Sequence, residues 1–136
     1  MKKKKGQALV ETALVVPILI LFICMIIDTG RIIYAESRLN LICQEATRIA
    51  SLGGSSTDVK NYAYNKLDSA SAATLDSNTS YAVPNSTTYT TDNSQNKSGN
   101  FVKVDLSVKL QYITPLASLI LPSPFVATAE SIIRIE

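Results

Sequence analysis

The stretch MKKKKGQALVETALVVPILILFICMII, residues 1–27, decides the architecture. Four lysines and a glycine precede 20 residues, Ala8 to Ile27, in which Glu11 is the only charged side chain. Twenty helical residues rise about 30 Å, the hydrocarbon thickness of a bilayer, so the segment reads as one membrane-spanning helix. A charge inside such a span costs about 2.5–3.5 kcal/mol at the bilayer centre, which singles out Glu11 as a functional candidate. A secretory leader would have a shorter apolar core and a small-x-small cleavage site close behind it. Here the run leads into Asp28-Thr29-Gly30-Arg31 instead.

Lys2, Lys3, Lys4 and Lys5 sit on one flank of the span, whereas Asp28, Arg31, Glu36 and Arg38 mix signs on the other. The positive-inside bias therefore puts the N-terminus in the cytoplasm and the rest of the chain outside, in a single pass. The four lysines orient the chain and also exceed its whole net charge of +2, so the remainder is slightly acidic and presents no basic face for nucleic acid. With no histidine and only two cysteines in 136 residues, the usual metal sites and Ser/His or Cys/His catalysis lack their parts. No cofactor and no enzymatic activity are expected. Cys24 and Cys43 would stand about 28 Å apart on one helix, far beyond disulfide reach.

Beyond the span, Ile32, Ala35, Leu39, Ile42, Ala46 and Ile49 recur at spacings of three and four, one helical stripe. The membrane helix is expected to continue as a stalk to Gly53-Gly54, with Pro17 and Gly30 as the two places where it could bend. A second helix is expected from a cap at Ser56 or Thr57 to about Leu75, with Thr74 on its inner stripe. Residues 76–100 are rich in Ser, Thr, Asn and Asp and read as a weak strand or hairpin followed by a mobile polar loop. Three Asn-x-Ser/Thr matches there, at Asn78, Asn85 and Asn96, are inexpensive in such a composition.

The clearest strand is Val102 to Tyr112, in which apolar and polar residues alternate. A second runs from about Phe125 to Ile135, and the two are expected to pair antiparallel as strands 101–113 and 125–135. Their apolar connection, Thr114 to Pro124, reads either as a turn closing the core or as a patch meeting a partner or the outer membrane surface. The fold class is α+β: a long N-terminal helix, a shorter helix and a small antiparallel sheet. The divisions are a leader at 1–6, the span at 7–27, the stalk at 28–53 and an outer domain at 54–136 with a polar loop at about 84–100.

Gly6 followed by Gln7-Ala8-Leu9-Val10-Glu11 and an apolar run resembles the processing site of type IV prepilins. Gly6 to Glu11, Pro17, Asp28-Thr29-Gly30-Arg31 with Tyr34, the stalk Gln44 to Ala50 and the carboxyl-terminal strands with Pro115 are together similar to TadE-like proteins of tight-adherence (Tad) pilus systems. The resemblance implies a pilin-like fold and the role of a minor pilin or pseudopilin needed for assembly of a surface fibre. It implies that a prepilin peptidase cuts between Gly6 and Gln7, and that Glu11, then fifth in the mature chain, sets axial register against a neighbouring subunit's amino terminus. The partners implied are the peptidase, other minor and major pilins, the inner-membrane assembly platform and the lipid bilayer. The location implied is the bacterial cytoplasmic membrane, with passage into an extracellular pilus as a further option.

Major pilins of these systems usually carry tyrosine directly after the acid, whereas Thr12 follows here, which favours an accessory subunit. Asp28 with Arg31, and Glu45 with Arg48, are three apart and can pair on a helix face for about 0.2–0.5 kcal/mol each, or recognise another pilin. Pro17, Asp28 and Arg31 are thus candidate helix-interface residues. The competing reading is an uncleaved, signal-anchored surface protein whose outer domain binds a ligand or partner.

Overall fold

The computed structural model describes residues 2–84, 86–112 and 124–136. Helix α1 runs unbroken over Lys2–Ser51, through both Pro17 and Gly30. It ends in a motif that uses both glycines. Gly53 adopts φ +93°, its amide donates to the Ala50 carbonyl at 3.1 Å, and the Gly54 amide reaches back to the Ile49 carbonyl at 3.0 Å. This paired closure satisfies carbonyls that the helix end would otherwise orphan, and the left-handed conformation favours a residue without Cβ.

Helix α2 occupies Ser56–Lys66 and is capped one residue earlier than the sequence suggests. The Ser55 hydroxyl accepts from the Asp58 amide while the Asp58 carboxylate accepts from the Ser55 amide at 2.9 Å, a reciprocal capping box. The single second helix expected to run to Leu75 is broken at Leu67-Asp68. Leu67 turns extended, and Asp68 caps a four-residue helix α3, Ser69–Ala72. Thr74 is therefore not helical. Its hydroxyl exchanges hydrogen bonds of 3.1 Å with the Lys109 backbone, extending the sheet's bonding past the strand that follows.

Three strands, β1 Asp76–Ala82, β2 Phe101–Leu110 and β3 Phe125–Arg134, form an antiparallel sheet in the order β1-β2-β3. Thr79 lies opposite Val104 and Leu106 opposite Ala129. Val102, Val104, Leu106 and Val108 of β2 are buried against the helices, with the intervening polar residues on the other face. The core joins them to Leu39, Ile42, Cys43, Ala46 and Ala50 of α1, Val59 and Ala63 of α2, and Tyr81, Ala127 and Ala129. The fold is α+β, a helical layer on one face of a three-stranded sheet.

The segment after β1 turns back onto that strand. Tyr81 and Thr90 exchange backbone hydrogen bonds of 2.7 and 2.8 Å, and the Lys103 ammonium lies 5.8 Å from the Tyr89 ring centroid. The antiparallel bridge at Tyr81 and Thr90 gives the start of this polar segment a hairpin-like return, an attachment through backbone bonds that composition does not reveal. The Asn78 sequence match falls within β1 with Thr79 and Ser80 buried. Residues 113–123, which hold Pro115 and all of the apolar connection except Pro124, lie outside the described residues.

Candidate functional site

The site of interest is the half of α1 that the outer domain leaves uncovered. From Gly6 to Ile27 no residue is buried against the chain itself, and α1 is long and apolar enough to cross a membrane. Gln7, Glu11 and Pro17 are exposed, as are the large side chains Leu14, Leu19, Phe22 and Ile26. Cys24 is half-buried and free. In and just beyond this half of the helix two hydroxyls satisfy themselves locally: Thr12 donates to the Ala8 carbonyl at 2.9 Å and Thr29 to the Met25 carbonyl at 2.8 Å. Such back-bonding removes the cost of an unsatisfied hydroxyl in lipid.

Gly6 and Gln7 are part of α1, and a Cβ added at Gly6 would meet nothing within 4 Å. Packing within the chain therefore gives no reason for glycine there. Gly30 is likewise surrounded by open space. A glycine in a helix interior costs about 1 kcal/mol relative to alanine, so both positions carry a cost that the chain's own core does not require. The backbone of Lys2, Lys3, Lys4 and Lys5 continues the helix; their side chains lie outside the described part.

Just beyond this uncovered stretch, Asp28 is 6% exposed, enclosed by the rest of the chain. It lines a cavity of about 210 Å³ together with Arg31, Tyr34, Ala35, Asp68, Ser71, Leu110, Tyr112 and Phe125. Helix α1 supplies one wall, α3 another, and the facing ends of β2 and β3 the third. Burial opposes ionisation of Asp68, but hydrogen bonds from Ser71 prevail and hold its carboxyl below 3.8.

Further along, Glu45 accepts a hydrogen bond from the Tyr62 hydroxyl of α2, a partner the sequence did not suggest. The i, i+3 pairing with Arg48 gives way to a contact between helices. Arg38 donates to the Lys66 carbonyl at 2.9 Å and so caps the end of α2. These two contacts fix α2 on the stalk. The sequence reading missed the Ser55-Asp58 box by placing the cap at Ser56 or Thr57, although the Ser-x-x-acid spacing was there to find it; Tyr62 gave no sequence signal beyond its hydroxyl.

Among the described residues, no group of three or more His, Cys, Asp or Glu is placed to hold a metal ion. The chemistry available is that of surfaces: a bare apolar helix with one acid, continued by a stalk that anchors a small sheet.

A long apolar N-terminal helix, exposed over its first half and joined to shorter helices and a small antiparallel sheet, makes an α+β architecture that fits a membrane-anchored pilin. Residues 6–48 match the family model described as TadE-like protein, which identifies this segment as TadE-like. The matched range contains Gly6, Glu11, Pro17, Asp28 and Arg31 and ends within the stalk. No curated protein and no solved structure matches the chain.

Proposed function

We propose that the chain is a minor pilin or pseudopilin of a Tad-type pilus, anchored by Ala8 to Ile27 with its N-terminus in the cytoplasm and its domain outside. The observation that carries this reading is the TadE-like match over an α1 whose first half has no partner within the chain. Lipid covers that half before assembly, and the helices of other pilins cover it afterwards. At Gly30 an added Cβ would meet nothing within 4 Å, so glycine there lets a neighbouring pilin's backbone come close just beyond the span.

Prepilin peptidase cuts between Gly6 and Gln7. The bond lies within α1, so the protease must unwind the first turn, and Gly6 both weakens that turn and admits the backbone to a catalytic cleft. Lys2 to Lys5 hold the leader at the anionic cytoplasmic face. Cutting creates an amino group at Gln7, four residues before Glu11, and a neighbouring subunit's amino group offsets the cost of that acid in the membrane. The assembly platform and the other pilins are the partners in this reading.

The test is mass spectrometry of the protein from membranes with an active prepilin peptidase. The mature chain begins at Gln7; a chain retaining residues 1–6 in those cells refutes the processing step and favours an uncleaved anchor. Co-purification of other pilins separates assembly from mere anchoring.

A further inference from the structure

The end of the sheet that carries Leu110 and Phe125 lies at the height where α1 leaves the membrane. The Cys43 thiol reaches the Val104 carbonyl, while Val108 and Leu110 stand beside Tyr34, Ala35 and Leu39. β2 therefore descends along α1 towards the span, and β3 climbs away from it. Leu110, Tyr112 and Phe125 share a cavity with Asp28 and Arg31, the first turn after Ile27. From Asp28 to Ala35 α1 rises only about 10 Å. The polar layer on each side of a bilayer is roughly 5–8 Å deep. The lower end of the domain thus falls at the level of the lipid headgroups.

The side chains at this level suit that position. Tyr34 is 65% exposed and Ile33 58%, Arg31 is exposed, and Tyr112 and Phe125 are half-buried. Aromatic residues with an apolar body and a polar tip collect at membrane interfaces, and a guanidinium pairs with phosphate by forked hydrogen bonds. Asp28, being buried, does not present its charge to the lipid.

We propose that this end of the domain, built from Arg31, Tyr34, Leu110, Tyr112 and Phe125, docks on the outer-leaflet phospholipid surface as a second membrane contact. The contact sets the tilt of the domain on α1. It is lost when the subunit leaves the bilayer, so the docked state is the membrane-resident one. The inference rests on reading Ala8 to Ile27 as the span.

The experiment places an environment-sensitive fluorophore on Gln111→Cys in full-length protein with Cys24→Ala, in phosphatidylglycerol/phosphatidylcholine nanodiscs whose acyl chains are brominated near the headgroup. Gln111 is exposed in the isolated chain, and Cys43 is buried and does not compete for the label. The label at 111 should lose most of its fluorescence to the brominated lipid, whereas one on Ser98→Cys, at the other end of the sheet, should lose none. A label at 111 that behaves like water-exposed Ser98 overturns the proposal. So does one that is shielded from water but not quenched, since protein rather than lipid then covers it. Labelling the native Cys24 separately tests the span: quenching there without quenching at 111 refutes the docking alone.

Discussion

The Cys43 thiol on α1 donates to the Val104 carbonyl of β2 at 3.2 Å, with the Ala129 carbonyl of β3 at 3.6 Å, so one sulfur joins the stalk to two strands. Thr47, one turn on, is fully buried and donates to the Cys43 carbonyl at 2.6 Å. This is where the outer domain grips the helix. Below it the grip weakens until, at Ile27, the domain no longer covers α1.

Burial pushes the Cys43 thiol from 9.0 up to about 11, against a lowering by Thr47. The folded chain therefore keeps this proton to higher pH than the unfolded one. Its contribution to stability is complete below pH 9.0 and is lost as pH rises towards about 11. At pH 8 Cys43 should resist alkylation in the folded Cys24→Ala protein and react once denaturant is added, as thiol titration will show. Rapid labelling of folded protein would contradict the burial. Cys43→Ala should lower stability by about 1 kcal/mol, the scale of one lost hydrogen bond.

The two glycines that close α1 should respond to alanine for different reasons. Gly53 sits at φ +93° with open space around it, so Gly53→Ala meets backbone strain of about 1–2 kcal/mol. At Gly54 a Cβ would stand 2.7 Å from Ile49 Cγ2 and 2.8 Å from the Ile49 carbonyl oxygen. The backbone oxygen cannot rotate away, so Gly54→Ala must shift the turn that leads into α2. Denaturant melts should find both variants destabilised. Ile49→Ala should relieve only the side-chain part of the Gly54→Ala penalty, a coupling that a double-mutant cycle measures.

Tyr81 is 1% exposed, and its hydroxyl has no hydrogen-bond partner among the described residues. Burial raises its pKa above 10.0, as expected of a phenol cut off from water. A buried hydroxyl without a partner costs about 1–3 kcal/mol. Tyr81→Phe keeps the ring in the core and removes that cost. The variant should therefore be more stable by about 1 kcal/mol in urea unfolding, against the usual direction for core substitutions. A loss instead of a gain would mean that the hydroxyl is hydrogen-bonded in solution.

The parts of this fold with a clear period could be read directly. The stalk stripe through Leu39, Ile42 and Ala46 is the buried face of α1, although a helix turns 100° per residue and Cys43 and Ala50 lie nearer its centre than Ile49 does. The alternation of Val102 to Val108 showed which face of β2 is buried before any partner was known. β1 was nearly illegible, because Asp76-Ser77-Asn78-Thr79-Ser80 has no strand pattern and gains its geometry by pairing with β2. The same holds for Tyr62 with Glu45 and Thr74 with Lys109, where two residues far apart in sequence meet through their hydroxyls. Of the candidate site, Glu11 and Gly6 stood out because a charge in an apolar run and a glycine before it are local signals. The buried state of Asp28 depends on the ends of β2 and β3 arriving beside α1, which no local pattern encodes.

Glu11 is exposed on the described chain, so its substitution should leave the outer domain's stability unchanged. If its partner is the amino group freed at Gln7, removing the charge matters only after that group exists. Glu11→Gln should be cut normally, as mass spectrometry of the N-terminus will show, yet co-purify fewer partner pilins. A double-mutant comparison isolates the reason. With Gly6→Leu blocking the cut, adding Glu11→Gln should have no further effect on co-purification, because the amine it would pair with has not been made. Equal losses from Glu11→Gln in cut and uncut backgrounds would assign the acid some role other than register. Thr12→Val should be nearly silent in both, since the Thr12 hydroxyl is spent on the Ala8 carbonyl of its own helix.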